Sequence, residues 1–196
     1  MPLWGATTTD EAKPKYLTDG PATAKNFEKE GAYATDAGWT VAPNVSDARK
    51  TAGADREVLV AIRGLGTATT KLAEASISSF RYITTTLSEA TSEEMSVNVS
   101  WNERVTVTGT PKLAVSGAAT GPIELEYASG TLTNNLVFTG ELVGGGNFAA
   151  GDALIIDADA IDLNGGTIKD TVSTNNAVKE NTAAIGETAG TLTVTA

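Results

Sequence analysis

From Met95 onward, apolar and polar residues alternate with a period of two. Met95, Val97, Val99 and Trp101 are separated by Ser96, Asn98 and Ser100, the signature of a strand with one buried face. Asn102-Glu-Arg104 reads as a polar turn, after which Val105 and Val107 resume the pattern. Leu113 and Val115 follow Pro111; Ile123, Leu125 and Tyr127 oppose Glu124 and Glu126; Leu136 and Phe138 oppose Asn135 and Val137. Leu154 and Ile156 begin a strand that runs into an Asp-rich turn, and Leu192 and Val194 close the chain. Short strands divided by turn residues, with no helical period of useful length, predict a β-sandwich over residues 92–196.

The pattern upstream is different. Residues 1–50 are polar and broken by Pro2, Pro14, Pro21 and Pro43, with Trp4, Tyr16, Phe27, Tyr33 and Trp39 scattered among them. Spaced aromatics of this kind suit an extended arm that docks on a larger surface, since each buries much area at small entropic cost. A small irregular subdomain packed on its own chain is the alternative. Residues 51–91 form a linking region with some strand. Glu57 to Ile62 is an apolar run ahead of the Arg63-Gly-Leu-Gly66 turn, Lys71–Ser76 is long enough for one helical turn, and Ile77–Thr86 reads as a strand with Phe80 and Tyr82 on one face. The boundary falls near residues 88–93. The fold class is therefore mainly β: an arm or irregular region, a small β-containing linker and a C-terminal sandwich.

Charge sharpens this division. The net charge is −10, and residues 101–196 carry 4 Lys/Arg against 11 Asp/Glu. Such a half is repelled by phosphate backbones, so no nucleic-acid partner is expected, and the carboxylates read as a solvated outer surface. No run of about 18 apolar residues predicts a membrane span. The N-terminus has neither a basic nor an apolar leader segment, so the chain is expected to be made in a cytoplasm.

Candidate chemistry is sparse. The chain has neither His nor Cys, which removes imidazole-based triads, thiolate metal sites and disulfides. No convergent acid, base and nucleophile set is visible, so neither catalytic residues nor a cofactor is expected. Asp157, Asp159 and Asp162, near Asp152 and the Asn164-Gly-Gly166 turn, are weak candidates for a hard cation such as calcium. Their spacing is not that of an EF-hand loop, and outward-facing turn caps are the plainer reading. Gly144-Gly-Gly146 lacks the Gly-Lys-Ser/Thr ending of a phosphate loop and reads as a flexible connection.

Several of these segments carry a resemblance. Ser96–Glu103, Val105-Thr-Val-Thr-Gly-Thr-Pro111, Tyr127-Ala-Ser-Gly130, Asn135–Phe138 and Leu163-Asn-Gly-Gly-Thr-Ile-Lys-Asp170 together resemble a bacterial Ig-like repeat of surface adhesion proteins. The polar stretch 171–190 is longer than that family's usual turn and departs from it. Met1-Pro-Leu-Trp-Gly5, Asp10–Leu17 and Ala34–Trp39 resemble the start of small structural proteins of tailed phages, especially cyanophages. The resemblance implies a non-enzymatic virion protein, assembled in the host cytoplasm, that decorates or cements a capsid. It would dock through Trp4, Tyr16, Phe27, Tyr33 and Trp39 onto a major capsid protein or another virion protein, as a homo-oligomer or in many copies on a lattice. Its Ig-like module would face outward, with weak glycan binding as a further expectation. A tail, neck or fibre protein, or a cell-surface adhesion module binding glycan or calcium, is the alternative.

Overall fold

A computed structural model describes residues 31–41, 57–66, 72, 74–143 and 146–196. The fold is mainly β. In chain order the strands are β1 (Ala32–Thr35), β2 (Gly38–Val41), β3 (Glu57–Ala61), β4 (Ile77–Tyr82), β5 (Leu87–Ser88), β6 (Glu93–Thr108), β7 (Lys112–Val115), β8 (Ile123–Ser129), β9 (Thr133–Leu142), β10 (Ala153–Leu154), β11 (Ile161–Asp162), β12 (Thr167–Asp170) and β13 (Leu192–Thr195). A single helical turn, α1 (Ala183–Gly186), and a 3-10 turn at Glu187–Ala189 lie within the polar stretch 171–190. Thr182 caps that turn, its Oγ1 accepting from the N–H of Ile185. This is local capping chemistry rather than an apolar period, which is why the periodicity gave no sign of it.

The main sheet is antiparallel and runs β11-β7-β8-β9-β6-β12, with β4 also paired to β6. β6 holds it together. Over Met95–Trp101 the odd-numbered side chains are buried and the strand lies between β4 and β9; its last residues, Val105–Thr108, pair with β12. A register shift against β9 between Ser100 and Val105 marks the change of partner. Strands that pass from one packed layer to another do so through such irregularities. The expected turn at Asn102–Arg104 is therefore a bulge inside one continuous strand of 16 residues. Its polar residues have partners: Asn102 Oδ1 accepts from Ser76 N at 2.7 Å, and Arg104 Nε donates to Leu132 O at 2.6 Å.

Connectivity requires this sheet to curl. β11 and β12 lie at opposite ends of the strand order, yet only residues 163–166 separate them. Laid flat, six strands would put those edges about 24 Å apart. The connection spans at most about 18 Å when fully extended. Both faces of the closure are packed: Asn164 Nδ2 donates to Thr110 O at 3.1 Å, and Gly109 lies against Gly166.

A second sheet, β10-β13-β5, pairs β13 antiparallel to β10 and parallel to β5. Its Leu87, Leu154, Leu192 and Val194 share one apolar core with Val97, Val99, Trp101, Leu113, Leu125, Leu136 and Phe138 of the main sheet. Each fully buried aliphatic side chain there contributes about 1.5–3 kcal/mol. Two sheets over one core are compatible with the expected sandwich. The main sheet also takes in β4, upstream of the boundary expected at 88–93.

The third sheet, β1-β2-β3, occupies residues that were expected in an extended arm or irregular region and in the linker. Ala32–Thr35 and Gly38–Val41 form a tight hairpin, β3 adds to β2, and Ala34, Trp39 and Leu65 make a small core of their own. β1 also packs against β6.

Candidate functional site

Among the described residues, two carboxyl groups are buried, and they meet. Glu103 of β6 is 3% exposed and Asp170 of β12 is 2% exposed. The sheet brings them together directly, because Asp170 pairs in register with Val105, two residues beyond Glu103.

Asp170 is held by a turn built on its own side chain. Its Oδ1 accepts from the N–H groups of Val172 at 2.6 Å and Ser173 at 2.7 Å. Its backbone carbonyl accepts from Thr174 and its N–H donates to Asn175 O. A carboxylate satisfied in this way is an Asx-type cap, a role that Asp performs well in turns.

Glu103 is held differently. Its Oε2 meets no hydrogen-bond donor, and Trp101 Nε1, on the same strand, is likewise buried without an acceptor. Burial, then the negative charge of Asp170 and a hydrogen bond to it, push the Glu103 pKa up to about 9. The chemistry is consistent with the geometry: a buried charge without donors is costly, whereas a carboxylic acid becomes the donor that the pair lacks. At neutral pH Glu103 is a neutral acid donating to Asp170.

The pair is sealed. The backbone of Gly66, in the turn after β3, lies over Glu103 so closely that a Cβ there would be 2.8 Å from Oε1. A perturbed carboxyl is a functional-site signal when it lies in a cleft. Here almost no surface is left for a substrate to reach, so the arrangement can hold a proton and join elements but offers no room for a reacting molecule.

A second polar cluster lies across β6 and β9. Asn98 Nδ2 donates to Ser100 Oγ at 3.0 Å and to Asn135 Oδ1 at 3.1 Å, and Ser100 Oγ donates to the same Asn135 Oδ1 at 2.7 Å. Asn134 Nδ2 donates to Trp101 O at 3.3 Å. Mutual satisfaction of this kind fixes strand register and leaves little capacity for a ligand.

The residues singled out in the sequence are dispersed. Trp4, Tyr16 and Phe27 lie outside the described residues. Tyr33 and Trp39 are buried on the β1–β2 hairpin, so as folded neither ring presents a docking surface. Asp157, Asp159 and Asp162 are exposed, and Asp162 Oδ1 caps its own turn by accepting from Asn164 N at 2.9 Å. Asp152 does the same for Ala119 and Ala149. Among the described residues no group of three or more acidic side chains is arranged to hold a metal ion. Glu124 and Glu126 are exposed; Glu124 pairs with Lys112 at 2.7 Å, a contact that raises the lysine pKa. Of the Gly144–Gly146 segment, Gly144 and Gly145 lie outside the described residues. No described helix is long and apolar enough to cross a membrane.

Glu103 and Asp170 were missed because Glu103 was grouped into a polar turn. The signal was available. Residue 103 has the same parity as Met95, Val97, Val99, Trp101, Val105 and Val107, so a carboxyl there falls in an apolar series.

No known protein family, no curated protein and no solved structure matches the chain.

Proposed function

We propose that this chain is a non-enzymatic structural protein of a virion, a capsid decoration or cement protein that holds the shell through its N-terminal region and displays an Ig-like module. The observation that carries this reading is the protection of strands at the margins of the main sheet. β4 is met by Thr188, whose Oγ1 accepts from Phe80 N at 2.8 Å and donates to Ile185 O at 2.6 Å. β12 is bridged by Asn176 and Ala177, and where the two-residue β11 stops, Ala160 and Ile155 bond Ala114 of β7 and the following Ser116. A module displayed in many copies on a lattice must not pair edge to edge with its neighbours, and covered edges prevent that. The acidic, Thr-rich exterior and the sealed carboxyl pair fit a displayed surface better than a reaction site.

Quantitative mass spectrometry of gradient-purified phage particles from the source lysate tests this. The chain is expected in a fixed, multi-copy ratio to the major shell protein, with immunogold label on the head. Presence in the lysate but absence from particles sinks the reading; label on the tail replaces it with the tail alternative.

A further inference from the structure

Glu103 stands where three parts of the chain converge. β6 carries its side chain and β12 brings Asp170. The turn after β3 lays Gly66 over it, with the Ala34 carbonyl of β1 close by at 3.1 Å from the position a Gly66 Cβ would take. Gly66 is tied to β1 in turn, its N–H donating to Thr35 O at 2.9 Å. We propose that the Glu103 carboxyl, shared with Asp170 beneath Gly66, is a proton-operated latch that fastens the β1–β3 sheet to the sandwich and loosens as pH rises.

Among the described residues the ionic influence on Glu103 comes from Asp170 of β12. From the N-terminal side the backbone of Gly66, which brings no ionisable side chain, lies against Glu103 Oε1. On its own strand, Arg104 directs Nε to Leu132 O. Fastened, the carboxyl holds its proton up to about pH 9 because of burial and then Asp170. Released into water, it returns to a pKa of about 4.3. The fastened state therefore binds the proton more tightly. Its advantage is complete below about pH 4, falls about tenfold per pH unit above that, and is gone beyond the folded-state value.

Hydrogen exchange of the full chain between pH 5 and 10, corrected for the intrinsic pH dependence of exchange, reads this directly. Protection of the β1–β2 amides is expected to fall about tenfold per pH unit and to lie below that of the β8–β9 amides, which open only when the whole chain unfolds. E103Q carries no titrating proton at this position, so its slope is expected to flatten. D170N retains an oxygen for Val172 and Ser173 but removes the charge. Its slope should end at a lower pH, which gives a second reading if E103Q fails to fold. Three results overturn the latch: pH-independent protection of β1–β2, protection of β1–β2 equal to that of β8–β9 at every pH, or a wild-type profile in folded E103Q or D170N.

Discussion

Alanine at Gly66 would place its methyl group against two neighbours of different compliance. The Glu103 carboxyl, 2.8 Å away, can rotate, but the Ala34 backbone at 3.1 Å is held in the β1–β2 hairpin. Overpacking against fixed backbone costs about 1–3 kcal/mol. G66A is therefore expected to lower the unfolding free energy by that amount, read as a lower urea midpoint at an unchanged m value, and a midpoint equal to wild type would mean that the joint accommodates a methyl group. The same locality explains what could be read in advance. Glu124 and Glu126 alternate against Ile123 and Leu125, and their exposure follows from parity alone. Glu103 also obeys parity, but its protonation depends on Asp170, which is 67 positions away in the chain and paired only through β12. No local pattern encodes that proximity.

Strand β6 illustrates how far periodicity reaches. The alternation from Met95 to Trp101 specifies a buried face, and the burial of those four side chains follows it. It does not specify that the opposite face is also covered, as Asn98 and Ser100 are. Their polarity, read as solvent exposure, is instead satisfied by Asn135 of β9. Removing one partner from such a cluster leaves buried polar atoms stranded, at about 1–3 kcal/mol, whereas replacing all partners by apolar groups of matching shape is far less costly. N135L is therefore expected to destabilise the chain by about 1–3 kcal/mol in urea unfolding, because Asn98 and Ser100 lose their common acceptor. Adding N98V and S100A to N135L should recover part of that loss. A triple variant no better than N135L would show that the cluster contributes by shape, not by hydrogen bonding. The turn expected at Asn102–Arg104 failed for a related reason. A polar triplet between apolar runs usually breaks a strand, but here Ser76 and Leu132 supply partners from distant segments, so the strand bulges and continues.

Closure of the sheet is the feature least visible in the chain, because strand order depends on pairings that no period records. Its points of contact, however, are written in glycine. Gly109, between β6 and β7, has φ +73, and a Cβ there would sit 2.8 Å from Gly166 Cα. Gly166 is equally confined by the carbonyl oxygen of Thr108. The Gly109-Thr-Pro111 and Asn164-Gly-Gly166 segments, far apart in the chain, are therefore one packed joint that brings opposite edges of the sheet together. A left-handed backbone angle and a backbone-to-backbone contact act together against any side chain at residue 109. G109A is expected to cost about 2–4 kcal/mol, toward the upper end of single substitutions. N164A, which removes the hydrogen bond to Thr110 and puts alanine at a left-handed φ of +47, should cost about 1–2 kcal/mol. The two residues share one joint, so the double variant should lose less than the sum of the single losses. Strict additivity in urea unfolding would mean that the turns act independently. The curl would then be set by the strands themselves and not by the joint.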